Sequence, residues 1–182
     1  FLVMRLVQGR SLARAVAEAD TLDERLALLP HVIAVADALA YAHDLGVVHR
    51  DLKPANVLIG VHGETVVVDW GLAKELGRTE PDAGGAPAPV GVGLTHDGAI
   101  LGTPGFMAPE QAQGQSVDAR ADVYALGAIL HQVLSGEAPS GPTSLAALEP
   151  DLPRDLLAIV EKALAPSPAR RYPTAFELAE DL

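Results

Sequence analysis

The chain has 182 residues, 49% of them hydrophobic and only 4% aromatic, with no cysteine and a net charge of −11 at pH 7. That length gives one domain, or a large part of one, with a core of Leu, Val and Ala, and the missing cysteines exclude disulfides and thiolate metal sites. The acidic balance argues against nucleic acid as a partner, no apolar run approaches eighteen residues without charge, and no signal-peptide pattern opens the chain.

Residues 1–4 read as a strand and Arg5 to Gly9 as a connector. Ser11 is placed to cap a short helix reaching about Ala19. Thr21-Leu22-Asp23-Glu24 has the pattern of a capping box. Leu22, Leu26, Leu29, Ile33, Ala36 and Leu39 then keep the helical period to about Asp44. Pro30 interrupts that run and predicts a kink or a break, because it removes a hydrogen bond and crowds the preceding turn. Gly46 ends the helix.

The next stretch, VHRDLKPANVLIGVHGETVVVDWG from Val48 to Gly71, centres on a predicted β-hairpin. Val57-Leu58-Ile59 and Thr65 to Val68 are its arms, with His62-Gly63 at the turn. The residue entering the first arm should lie beside the one leaving the second, which pairs Asn56 with Asp69. An amide oxygen and a carboxylate suit a hard cation such as Mg²⁺. Asp51 and Lys53 lie just upstream, in a loop that Pro54 keeps out of helix. A carboxylate, an ammonium and two oxygen ligands at one loop end fit phosphoryl transfer.

Beyond Gly71 the chain turns rich in Gly, Pro and Ala and loses periodicity to Gly102, which predicts a loop carrying the hydroxyls of Thr79 and Thr95. Ser116 is expected to cap an apolar helix to about Ser135. Val123, Leu126, Leu130, Val133 and Leu134 should face inward, and Gly136 should stop it. Residues 140–152 suffice for one helical turn. Asp155 to Leu164 reads as an amphipathic helix, and Thr174 should cap a last one. His31, His43, His62, His96 and His131 show no metal spacing.

The octapeptide His49-Arg50-Asp51-Leu52-Lys53-Pro54-Ala55-Asn56 resembles the catalytic loop of protein kinases, and Asp69-Trp70-Gly71 stands where that family has Asp-Phe-Gly. Gly102-Thr103-Pro104 and Ala108-Pro109-Glu110 match the end of its activation segment. With four motifs in order, the chain is similar along essentially its whole length to the C-terminal lobe of a bacterial-type (Hanks-type) Ser/Thr protein kinase. The resemblance implies a mainly α fold with a small β-hairpin at the catalytic loop. No kinase-type glycine-rich loop and no VAIK-like lysine occur in the sequence. The N-terminal lobe that carries them is therefore expected to be absent from this chain, making residues 1–182 a partial kinase domain. Residues 1–9 would be the last N-lobe strand and the hinge, and 10–182 the C-lobe. The activation segment, 69–110, is long for the family at 42 residues, and the region 137–153 is too short for the usual docking helix.

Site roles follow from the same resemblance. Asp51 would orient the substrate hydroxyl, Lys53 would neutralise charge on the γ-phosphate, and Asn56 and Asp69 would hold Mg²⁺ with ATP. Met4 would be the gatekeeper, Arg5 and Val7 would offer backbone groups to adenine, and Leu58 would lie beneath it. Thr103 would face the peptide and Asp51. Arg50 would receive an activation-segment phosphate, with Thr95 better placed to carry it than Thr79. Glu110 and Arg171 would form a buried ion pair, and Asp122 would start the central helix and hold the catalytic-loop backbone. His49 is read as a packing residue, and Trp70 brings an indole N–H that needs a partner. The implied activity is ATP- and Mg²⁺-dependent phosphorylation of Ser/Thr in protein substrates. The domain would be cytoplasmic, free or within a membrane-anchored protein, and inactive as this piece alone. A pseudokinase acting as a binding or scaffold module is the alternative, separated by whether the sequence ahead of Phe1 carries the glycine-rich loop and the lysine. A small-molecule kinase is a third, and the motifs at 102–104 and 108–110 count against it.

Overall fold

The computed structural model describes residues 8–70, 74–75, 105–140 and 145–182. Its centre is a helix, α5 (Arg120–Ser135), in which twelve of sixteen residues are buried. A helix apolar on nearly every side is stable only when enclosed, and the other helices enclose it. Against it pack α2 (Leu22–Leu26), α3 (Leu29–Asp44), α7 (Arg154–Ala163) and α8 (Ala175–Asp181). The four-residue helix α6 (Leu145–Leu148) is the single turn expected within residues 140–152. The predicted inward residues of α5 are all fully buried, and Gly136 closes the helix in the left-handed conformation at φ 79°.

Local signals set most boundaries. Ser11 Oγ accepts the Arg14 N–H at the start of α1 (Leu12–Ala17), and Thr21 with Glu24 forms a complete capping box on α2. Pro30 produces a break, not a kink: α2 ends at Leu26, and the proline sits in the first turn of α3, where its missing N–H costs nothing. The stretch Leu22–Asp44 has the length and apolar character of a membrane-crossing helix. Here it is two helices, and the second buries Val32, Val35, Ala36 and Leu39 in the core. Arg25 joins α2 to the end of α5, donating from Nε to Leu134 O at 3.1 Å and pairing with Glu149.

Four expectations need correcting. Gly9 is not connector but opens a strand, β1 (Gly9–Ser11), paired antiparallel to β3 (Val57–Gly60). The hairpin of β3 and β4 (Thr65–Val67) is therefore part of a three-stranded sheet. Its register pairs Val57 with Val67, so Asn56 faces Val68, whose N–H meets Asn56 O at 2.9 Å, and Asp69 follows one residue later. A second sheet pairs β2 (Val47–Val48) with β5 (Lys74–Glu75), which lies in the stretch read as loop. Ser116 does not cap α5. The helix starts at Arg120, whose N–H is taken by Asp118 Oδ1 at 2.8 Å. Residues 1–7 and most of the segment from Gly71 to Pro104 lie outside the described residues.

Candidate active site

The loop after β2 is held from beneath by one carboxylate. Asp122, in the first turn of α5, is 1% exposed. Its Oδ2 accepts the His49 N–H at 2.8 Å and its Oδ1 the Arg50 N–H at 2.9 Å. His43 Nε2, 2.8 Å from Oδ2, supplies a third donor from the end of α3. A buried carboxylate needs such donors, and here they are mostly the catalytic-loop backbone itself.

His49 is fully buried. Its Nε2 lies 3.1 Å from the Val68 carbonyl, which can only accept, so Nε2 carries the proton and Nδ1 accepts the Asp51 N–H at 3.3 Å. Both ring nitrogens are engaged by backbone, and the ring is a strut between loop and hairpin. Trp70 packs against it at 4.6 Å between ring centres and donates its indole N–H to Val67 O at 3.1 Å.

On this support three side chains converge. Lys53 Nζ lies 2.8 Å from Asp51 Oδ2, and both groups remain one-quarter exposed. Asn56, 7% exposed, donates from Nδ2 to Asp51 O at 2.8 Å and reaches Oδ2 at 3.5 Å. With its nitrogen committed, the amide oxygen is the atom it can offer a cation. Asp69 follows the Val68–Asn56 hydrogen bond with its side chain exposed. An amide oxygen and a carboxylate at neighbouring backbone positions are a hard-cation donor set and fit Mg²⁺. Asp69 (φ 66°) and Arg50 (φ 69°) are the non-glycine residues in left-handed backbone among the described residues. Such strain collects at functional sites. Leu58, half-buried, sits mid-sheet between Ser11 and Val66.

Arg171 and Glu110 meet in a bidentate pair at 2.6 and 2.8 Å. The remaining guanidinium donors go to the carbonyls of Ala165, Arg120 and Pro166, so all five N–H groups are used. Burial pushes the Glu110 carboxyl up, but the Arg171 hydrogen bond, a hydrogen bond from its own backbone N–H and the Arg171 charge together outweigh it and hold the group below its ordinary value. Glu110 thereby fixes α4 (Pro109–Ala112) to the body of the protein.

Arg50 Nε is buried without a hydrogen-bond partner among the described residues. Met4, Arg5, Val7, Thr79, Thr95 and Thr103 lie outside the described residues. Two site contacts were missed in the sequence. His43 gives no signal beyond being a polar residue near a helix end, and Gln111, whose Nε2 meets Arg50 O at 2.8 Å, follows the Ala-Pro-Glu motif with nothing local to mark it.

The chain matches the protein kinase domain family over residues 1–179 and belongs to it. It is 38% identical along its whole length to serine/threonine-protein kinase PknB of Mycobacterium tuberculosis and 35% identical to PknB of Mycolicibacterium smegmatis. It spans 30% of the length of each of those proteins. The crystal structure of the Mycobacterium tuberculosis PknI kinase domain matches it with a TM-score of 0.69 at 30% identity, covering 97% of this chain and 62% of that one. The mostly helical architecture described above is thus a kinase fold.

Proposed function

We propose that this chain supplies the C-terminal lobe of a cytoplasmic kinase that transfers the γ-phosphate of ATP to Ser/Thr hydroxyls of protein substrates. The carrying observation is the convergence of Asp51, Lys53 and Asn56 on a loop whose backbone Asp122 holds. Phosphoryl transfer asks for positioning and charge neutralisation, which is what this set offers. The Asp51 carboxylate accepts the hydroxyl's hydrogen bond and aims the oxygen in line with the phosphorus. Lys53 turns its ammonium from Asp51 toward the phosphoryl oxygens. Asn56 and Asp69 would hold Mg²⁺, whose charge would neutralise the phosphates of bound ATP.

In the same reading Met4, Arg5 and Val7 line the hinge, Leu58 lies under adenine, and Thr103 faces the peptide. The domain runs over 1–182, with its activation segment at 69–110. Arg50, whose buried Nε has no hydrogen-bond partner among the described residues, receives a phosphate on Thr95, which supplies about −1.5 to −2 charge. Unchanged turnover in Thr95→Ala would remove that element. The isolated chain alone falls well short of the roughly 1–100 s⁻¹ of ordinary kinases.

The test is transfer from ATP to Ser/Thr peptides by the full-length protein, wild type against Asp51→Asn. Phosphoserine or phosphothreonine formed by the wild type, with turnover cut roughly 10²- to 10⁴-fold in the variant, is the expected result. Intact Mg-ATP binding without any transfer would leave a binding module instead.

A further inference from the structure

Arg50 occupies a backbone conformation that a non-glycine residue resists, φ 69°. Such a conformation persists only where the surroundings over-determine it. The groups on either side of Arg50 show what does so. Its N–H donates to Asp122 Oδ1 at 2.9 Å, and its carbonyl accepts from Gln111 Nε2 at 2.8 Å. That carbonyl belongs to the peptide bond whose nitrogen is Asp51's own, and the Asp51 N–H is in turn taken by His49 Nδ1 at 3.3 Å. Gln111 therefore grips the peptide plane that leads directly into Asp51. A carbonyl can only accept, so the amide nitrogen of Gln111, not its oxygen, must face Arg50.

The grip has a firm base. Gln111 sits in α4 beside Glu110, whose bidentate pair with Arg171 anchors that helix. Asp122 acts from α5 on the amide side of the strained residue, and Gln111 acts from α4 on the carbonyl side. With either removed, less holds the peptide plane in its left-handed conformation, and the direction of the Asp51 Cα–Cβ bond is less firmly set.

We infer, on the phosphoryl-transfer reading of Asp51, that Gln111 is a positioning residue: its side-chain amide holds the Arg50–Asp51 peptide in its left-handed turn and so aims the Asp51 carboxylate. Nothing in the Ala-Pro-Glu motif assigns this to the residue that follows it.

The experiment compares Gln111→Leu, Gln111→Glu and Gln111→Lys in the full-length protein. Leu removes the donor at similar size, Glu turns an acceptor toward an acceptor, and Lys restores a donor. Leu and Glu should lower kcat roughly tenfold, the effect of one positioning hydrogen bond, with the Kd for Mg-ATP unchanged and the Tm only slightly lowered. Lys should recover most of the loss. Amide hydrogen exchange supplies a readout independent of turnover: Arg50 and Asp51 should exchange roughly tenfold faster in Leu and Glu, with α5 unaltered. Unchanged exchange at those two amides, or wild-type kcat despite faster exchange, would overturn the inference. Faster exchange in a protein whose wild type transfers no phosphate would sink the phosphoryl-transfer reading and leave the clamp standing.

Discussion

Arg171 has no exposed side-chain surface, and every one of its donors is used, two of them on Glu110. Glu110→Ala leaves that guanidinium charged and half-deserted, which costs about 3–5 kcal/mol. Replacing both partners, Glu110→Leu with Arg171→Met, should cost clearly less than Glu110→Ala alone, because no buried charge is left behind. Urea unfolding of both variants checks the order. The pH dependence follows in sign. Glu110 is held below its ordinary 4.5 in the folded state, so its contribution is fully present above pH 4.5 and is lost as pH falls through the lower folded value. Glu110→Gln should flatten that part of the stability profile. At this scale the ion pair and Asp122 were legible through the family resemblance, with Glu110 inside the Ala-Pro-Glu motif and Asp122 and Arg171 placed by their positions relative to it. Gln111 and His43 were not, since what they bind is a backbone carbonyl in one case and a side chain 79 residues away in the other.

The helices repeat the same division. Most elements specified within a few residues, by a cap, a period or a proline, were legible, as with the capping box on α2, the stop at Gly136 and the break ahead of Pro30, whereas the start of α5 was placed at Ser116 and lies at Arg120 beside Asp118. Strands β1 and β2 have three and two residues and exist only through partners far along the chain, so no local period announces them. The hairpin was legible as a hairpin, but its turn length set a register that places Val68, not Asp69, opposite Asn56. Two glycines, Gly127 within α5 and Gly136 just past its end, separate backbone strain from close approach. An alanine Cβ at Gly136 would make only ordinary contact with Arg25, near 3.8 Å. Gly136→Ala therefore costs only its left-handed conformation, about 1–2 kcal/mol. An alanine Cβ at Gly127 would lie 2.6 Å from the Ala163 Cβ on α7. Gly127→Ala must push two core helices apart, at the upper end of the roughly 1–3 kcal/mol for overpacking. Thermal denaturation should therefore rank Gly127→Ala as the more damaging.

On the proposed phosphoryl-transfer reading, Asp51 and Asp69 divide the work across the whole molecule: one would meet the substrate hydroxyl, the other the metal beneath the nucleotide. Family and motif order were legible from the sequence; this division was legible only as an implication of the resemblance, because it depends on how the loop and hairpin converge. Asp51 is gripped by Lys53 and Asn56, whereas Asp69 stands one residue beyond the hairpin with its side chain exposed. Asparagine is the substitution of choice at both positions. It removes the charge, and at Asp69 it tolerates the left-handed φ of 66°. The most direct test is a titration of Mg-ATP against the full-length Asp51→Asn and Asp69→Asn proteins, with turnover measured on the same samples. Asp51→Asn should bind Mg-ATP like the wild type while losing most of its turnover. Asp69→Asn should lose at least about tenfold in affinity, or about 1.4 kcal/mol, as well as turnover. Equal losses of affinity in the two variants, or full turnover in Asp51→Asn, would contradict the claim.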